Sequence, residues 1–275
     1  MVQLSLIHIY SWGIGGGSGG GVCSAKDLYY EIFEDNRTSF EQIHANGLRY
    51  AEIFEGNARR YRTDKEKFLK DLKDFDMEIC GVYTGGNFIF PDLLEEELYR
   101  IDELCGLLEE LKIPFMITGG AIRHGGVREE DIVNLAKALD QVDDIAKKHG
   151  IKTGYHPHLG TTVLTGEQID KVMSLSKINL IPDIAHISAG GSDPFEVVKK
   201  YADRIEYAHI RDYGDGKFRL LGEGKVRIRE IMDLLLEKNP DIFFTIETAD
   251  GACDDPDYGI KRSVEYINDY FKSRG

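Results

Sequence analysis

The chain has few basic residues for its acids: 34 Lys and Arg face 48 Asp and Glu, a formal charge of −14. Nucleic acid and anionic membrane surfaces select for a basic face, so neither is expected as a partner. Long apolar runs are missing too; none approaches the roughly 20 residues that a membrane helix needs. The opening MVQLSLIHIYSW has neither a basic stretch nor an extended apolar segment, so a soluble chain without a signal peptide is expected. Cysteine is sparse. Cys23, Cys80, Cys105 and Cys253 form no C-x-x-C pair, and each lies in or beside an apolar segment. They read as buried free thiols in a reducing, cytoplasmic setting. No stretch is rich enough in Pro, Ser or charge to serve as a linker, so a single domain over 1–275 is expected.

What is present is a 42% hydrophobic composition, ample for a sizeable core, and 30 glycines against 7 prolines, which points to many tight turns. Short apolar, β-rich runs recur at about 2–9, 48–54, 77–83, 113–118, 151–156, 178–184, 205–210 and 242–247. Charged amphipathic segments of helical length lie between them, most clearly at 91–111, 128–149, 166–176, 194–204, 227–238 and 257–272. Asp193-Pro194 supplies an N-cap with proline at the first helical position, and Gly150 closes the helix that His149 ends. Eight strands alternating with about eight helices match an α/β fold of the (β/α)8 TIM barrel type. A doubly wound open sheet is the alternative; the count of eight and the polar residues at strand ends favour the barrel.

A glycine-dense segment, Gly13–Gly21, follows the first strand. Gly15, Gly17 and Gly20 satisfy G-x-G-x-x-G, but in so dense a run the match is cheap. The next helix begins only near Ser24, Glu52 and Glu55 come too late to bind a ribose, and no G-K-[ST] follows. The segment is expected to be a loop over the barrel mouth.

Half of the eight histidines, His156, His158, His186 and His209, fall between 156 and 209. In a barrel the C-terminal ends of the strands converge on one mouth. Strand 5 ends in Tyr155-His156-Pro157-His158, strand 6 in Pro182-Asp183-Ile184-Ala185-His186, strand 7 in His209-Ile210-Arg211-Asp212, and strand 8 in Thr245-Ile246-Glu247. Mixed imidazole and carboxylate groups from four successive strands suit a borderline divalent ion.

These motifs, YHPHLGT, PDIAH, EYAHIRD, LGEG and TIE, resemble the xylose isomerase-like barrel superfamily of sugar isomerases and epimerases. The resemblance covers nearly the whole chain. It matches Asp183 and His186 to a strand-6 D-x-x-H pair, His209 to a strand-7 ligand and Glu247 to a strand-8 ligand. Epimerase members carry a Glu on strand 5, whereas the histidines of YHPHLGT look like the inosose dehydratase branch. The resemblance implies an enzyme acting on a keto-sugar or keto-inositol, a carbon–oxygen lyase if elimination follows proton abstraction, and an isomerase or epimerase if the proton returns. A non-catalytic sugar-binding barrel is the remaining alternative; an endonuclease on the same barrel needs a basic groove.

One divalent metal ion is therefore expected, Mn²⁺ first, with Co²⁺, Mg²⁺, Fe²⁺ or Zn²⁺ compatible. Its ligands are expected to be His156, Asp183, His209 and Glu247, with His158 competing with His156 for the strand-5 place. His158 leads as acid–base group, beside His156 and Glu247. His186 and Arg211 are expected to bind substrate oxygens, and Glu55, Trp12, His8 and His124 to line the mouth. Lys225, Arg227 and Arg229 either bind a phosphate or form a solvated face. Barrels of this size often self-associate, so a homo-oligomer is compatible with the chain.

Overall fold

The computed structural model describes residues 3–7, 31, 35–120, 122–123, 125–247, 253 and 255–274. Eight strands form one parallel sheet: β1 (Gln3–Ile7), β2 (Tyr50–Phe54), β3 (Glu78–Thr84), β4 (Phe115–Thr118), β5 (Lys152–Tyr155), β6 (Asn179–Leu180), β7 (Tyr207–Ile210) and β10 (Phe243–Glu247). Their order is β6-β5-β4-β3-β2-β1-β10-β7. An isolated parallel bridge between Asp183 and His209, with the His209 N–H donating to Pro182 O at 2.9 Å, joins the two ends. The ring is closed, so the barrel expectation holds.

Ten helices surround it among the described residues: α1 (Asn36–Ala45), α2 (Glu55–Thr63), α3 (Lys65–Asp74), α4 (Leu94–Leu111), α5 (Glu129–Lys148), α6 (Gly166–Leu175), α7 (Ile184–Ala189), α8 (Pro194–Tyr201), α9 (Ile228–Lys238) and α10 (Pro256–Ser273). Their boundaries follow local chemistry. In α5, Ile132, Leu135, Ala136, Leu139, Val142 and Ala146 recur at three- and four-residue spacing and are buried. Acids fill its first turn and Lys147 and Lys148 its last, complementing the helix dipole. Thr165 and Gln168 form a reciprocal capping box on α6, and the Asp193 carboxylate caps α8 ahead of Pro194. No described helix is long and apolar enough to cross a membrane.

The main apolar core lies between strands and helices. A smaller cluster, including Phe54, Tyr83, Phe115, Ile117, Tyr207 and Phe243, is contributed by the strands themselves. It adjoins a group of buried polar side chains, Tyr83 packing on His156 and Tyr207 on His209.

Two expectations about the chain's elements need correction. The sixth strand is not 178–184 but only Asn179–Leu180, because Asp183 turns its carboxylate onto the N–H groups of Ala185 and His186, each at 2.8 Å, and starts α7. Cys80 and Cys105 are buried, but Cys253 is only partly so. A small hairpin, β8 (Asp212–Gly214) and β9 (Lys217–Arg219), follows β7. Its turn residues Asp215 and Gly216 have φ of 54° and 75°, as a two-residue type I′ turn requires.

Candidate metal centre

His156 continues β5, Asp183 bridges to β7, His209 lies within β7 and Glu247 ends β10. All four are buried. His156 Nε2 is 3.2 Å from His209 Nδ1, and His209 Nδ1 is 3.1 Å from Glu247 Oε2. One donor atom each from His156, Asp183 and His209 falls within 4.8 Å of the others, and so does one each from Asp183, His186 and Glu247. His158 belongs to neither group; its ring packs on His186 with centroids 3.7 Å apart. The histidine that approaches the cluster from strand 5 is thus His156, held edge-on to Tyr83 at 5.4 Å.

The cluster concentrates buried carboxylates and imidazoles that shift one another's protonation. Asp183 Oδ2 is buried with no hydrogen-bond partner among the described residues. Burial first, and the Glu247 charge second, push the Asp183 carboxyl up from its ordinary range. Burial would raise Glu247 as well, but Arg211 and then His209 hold it well below that range. Arg211 Nη1 donates to Glu247 Oε1 at 2.6 Å, with its guanidinium stacked 3.7 Å over the Phe218 ring of the hairpin. Burial would lower His209, yet Glu52, followed by Glu247, raises it to about 10. The imidazole is thereby protonated at neutral pH, and its Nδ1–H donates to Glu247 Oε2. Two ligands about 2.0–2.1 Å from a tetrahedral ion lie about 3.3 Å apart, close to the His156–His209 spacing. Imidazole and carboxylate donors in this mixture are of the kind that suits a borderline divalent ion.

His158 is partly buried, and its Nδ1 lies 2.7 Å from Leu159 O. A carbonyl only accepts, so Nδ1 carries the proton and the Nε2 lone pair is free. Burial lowers its pKa, which keeps the ring neutral. His186 Nδ1 accepts from the Leu159 N–H at 3.3 Å, while its Nε2 lies 3.2 Å from Arg211 Nη1. A neutral imidazole cannot accept at both nitrogens, so the His186–Arg211 edge is a polar pair open to rearrangement by a ligand oxygen.

Not every expected residue joins the cluster. Glu55 is the first residue of α2, and its carboxylate is engaged by Arg59 Nε at 2.8 Å, by Arg100 and by the Thr84 hydroxyl. The strand-2 carboxylate that reaches the site is Glu52, whose Oε2 lies 3.0 Å from His209 Nε2. An acid in the middle of the apolar strand YAEIF was the available signal for it. Arg227 pairs with Asp193 and Glu230, Lys225 pairs with Asp215, and Arg229 packs over Tyr266. That is the solvated-face alternative. His8, Trp12, His124, Cys23 and the glycine-rich segment 13–21 lie outside the described residues.

The family described as "Xylose isomerase-like TIM barrel" matches residues 40–270. The inosose dehydratase of Clostridium perfringens is 31% identical over 247 residues, spanning 76% of this chain and 82% of that protein. Among solved structures, the IOLI protein with a bound zinc atom superposes with a TM-score of 0.76 at 15% identity, covering 99% of each chain. D-allulose 3-epimerase from Methylomonas sp., in complex with D-allulose, gives 0.73 at 16% identity, over 98% of this chain and 97% of that one. Closed barrel, mouth chemistry and sequence likeness agree, and the chain belongs to the xylose isomerase-like TIM barrel family.

Proposed function

We propose that the protein is a divalent-metal-dependent enzyme that removes the proton next to a carbonyl of a keto-inositol or keto-sugar and then eliminates water. The observation that carries this reading is that donor atoms of His156, Asp183 and His209 lie within 4.8 Å of one another, with Glu247 Oε2 3.1 Å from His209 Nδ1 and the His158 ring nearby. A divalent ion held by those four residues would supply the fixed positive charge that an enediolate oxyanion needs. Two nitrogen and two oxygen donors suit Mn²⁺, Fe²⁺, Co²⁺ or Zn²⁺.

The chain's own groups then divide the work. Neutral His158 takes the α-proton, and the C–H electron pair becomes the enediolate double bond. Arg211 and His186, at the rim of the cluster, hold substrate oxygens. The β C–O bond breaks as the enediolate re-forms a carbonyl, and the departing hydroxyl takes a proton from His158 and leaves as water. The likeness to inosose dehydratase favours this elimination. A sugar isomerase or epimerase on the same centre is the second reading, favoured by the fold shared with D-allulose 3-epimerase. It needs a second proton carrier, for which His186 is the available group.

Proton NMR in D₂O of metal-loaded protein with a 2-keto-inositol and with a ketohexose separates these readings. Loss of water to a dehydrated dicarbonyl product supports elimination. Deuterium incorporation with conserved composition supports isomerisation, and no turnover of either class contradicts both.

A further inference from the structure

Behind His209, on the side away from the other three acidic and imidazole groups, lies a chain of polar contacts that direct ligation does not use. Glu52 Oε2 takes His209 Nε2 at 3.0 Å and also accepts from the Tyr207 hydroxyl at 2.7 Å. The Thr245 hydroxyl donates to the same Tyr207 oxygen at 2.5 Å, so the Tyr207 proton is committed to Glu52. All of these side chains are buried, and they come from three strands, β2, β7 and β10.

A carboxylate that already accepts from tyrosine offers His209 only an acceptor. The imidazole must therefore place N–H at Nε2, and a neutral ring then carries its lone pair on Nδ1. That atom is the one facing His156 Nε2 and Glu247 Oε2. An acid set behind a histidine in this way fixes both ring orientation and tautomer, and strengthens the ring as a donor. His156 has no such support: its Nδ1 is buried without a partner among the described residues.

We propose that Glu52, with Tyr207 behind it, is the positioning residue of the metal centre, forcing His209 to ligate through Nδ1. The inference rests on the metal-dependent reading above. Glu52 touches neither substrate nor metal; it acts through His209.

The test is zinc affinity, by competition with a chromophoric chelator, for wild-type, Glu52→Gln, Glu52→Ala and Tyr207→Phe proteins, with thermal unfolding of each metal-free protein alongside. Replacing Glu52 should weaken zinc binding about 10- to 100-fold. The Tyr207→Phe loss should be smaller. Where a variant fails to fold, the wild-type protein decides: long-range ¹H–¹⁵N spectra of the zinc-loaded form should show His209 protonated at Nε2 and ligating through Nδ1. Unchanged affinity in folded Glu52 variants, or ligation through Nε2, overturns the role of Glu52 while leaving the metal centre intact. Wild-type protein that holds no zinc overturns both.

Discussion

His156 Nε2 on the fifth barrel segment and His209 Nδ1 on the seventh strand lie 3.2 Å apart, across a stretch where the sixth strand is only two residues long. The short strand is what allows this. Pro182 has no N–H to continue the ladder, and Asp183 leaves it to cap α7 while bridging to His209. The carboxylate is thereby set between two histidines, with one oxygen spent on the helix and the other unpartnered.

Metal binding should release protons. Because His209 is raised to about 10, it is protonated at neutral pH in the metal-free protein, and a ligated imidazole cannot be. Affinity should therefore rise with pH, by up to about tenfold per unit below that value. Calorimetric titration with Zn²⁺ at pH 7 in two buffers of different ionisation enthalpy should report at least about one proton released per ion. A buffer-independent heat contradicts this.

His158 acts as a base in this account, and its pKa is lowered by burial. A lowered pKa keeps the base form available further into acid, so the acid limb of kcat should lie below the range of an ordinary histidine. His158→Gln should retain the metal and lose about 10²- to 10⁴-fold in kcat. Loss of metal in that variant would make His158 a ligand instead.

Asp212 organises the loop after the hairpin. Its carboxylate accepts from the N–H groups of Tyr213, Gly222, Gly224 and Val226 at 2.8, 2.9, 2.9 and 3.2 Å. A Cβ at Gly224 would lie 2.1 Å from Asp212 Oδ1, which accounts for the glycine in LGEG. Asp212→Ala should cost about 2–4 kcal/mol, since several donors lose their acceptor together, and should raise KM by loosening the hairpin that carries Phe218. Thermal unfolding and steady-state kinetics check both; an unchanged melting temperature contradicts it.

Arg100 of α4, partly buried, pairs with the buried Glu55 that opens α2, with Thr84 and Glu97 attached. Arg100→Ala leaves Glu55 with Arg59 alone as its cationic partner, so destabilisation should approach the lower end of the 3–5 kcal/mol typical of a broken buried pair. Denaturant unfolding measures it. A loss under about 1 kcal/mol would show that Arg59 suffices.

Much of this was legible in the sequence, for a physical reason. Parallel barrel strands are buried on both faces, so they stand out as apolar β-branched runs, and seven of the eight lie where those runs predict. The sixth run, 178–184, extends past its strand because Ile181 and Ile184 flank Pro182 and Asp183 with apolar residues; only the capping geometry of Asp183 shows that a helix starts there. The hairpin has its own signal in the sequence, since Asp215-Gly216 is a recognised turn pair. His156, Asp183, His209 and Glu247 stand out as candidates in the sequence because each lies in or just beyond an apolar strand-like run. Glu52 could not be paired with His209 from sequence, because the two are 157 residues apart and meet only through barrel closure. Glu55 has the better position for the mouth, but two arginines draw it into a structural network.

The central claim is that one divalent ion is held by His156, Asp183, His209 and Glu247. Anomalous scattering from crystals grown with Mn²⁺ or Zn²⁺ tests it most directly. The account predicts a single peak bounded by those four side chains, with the His158 imidazole outside the coordination sphere. A peak held by His158 in place of His156, a peak elsewhere in the barrel, or no peak from metal-saturated protein would contradict it.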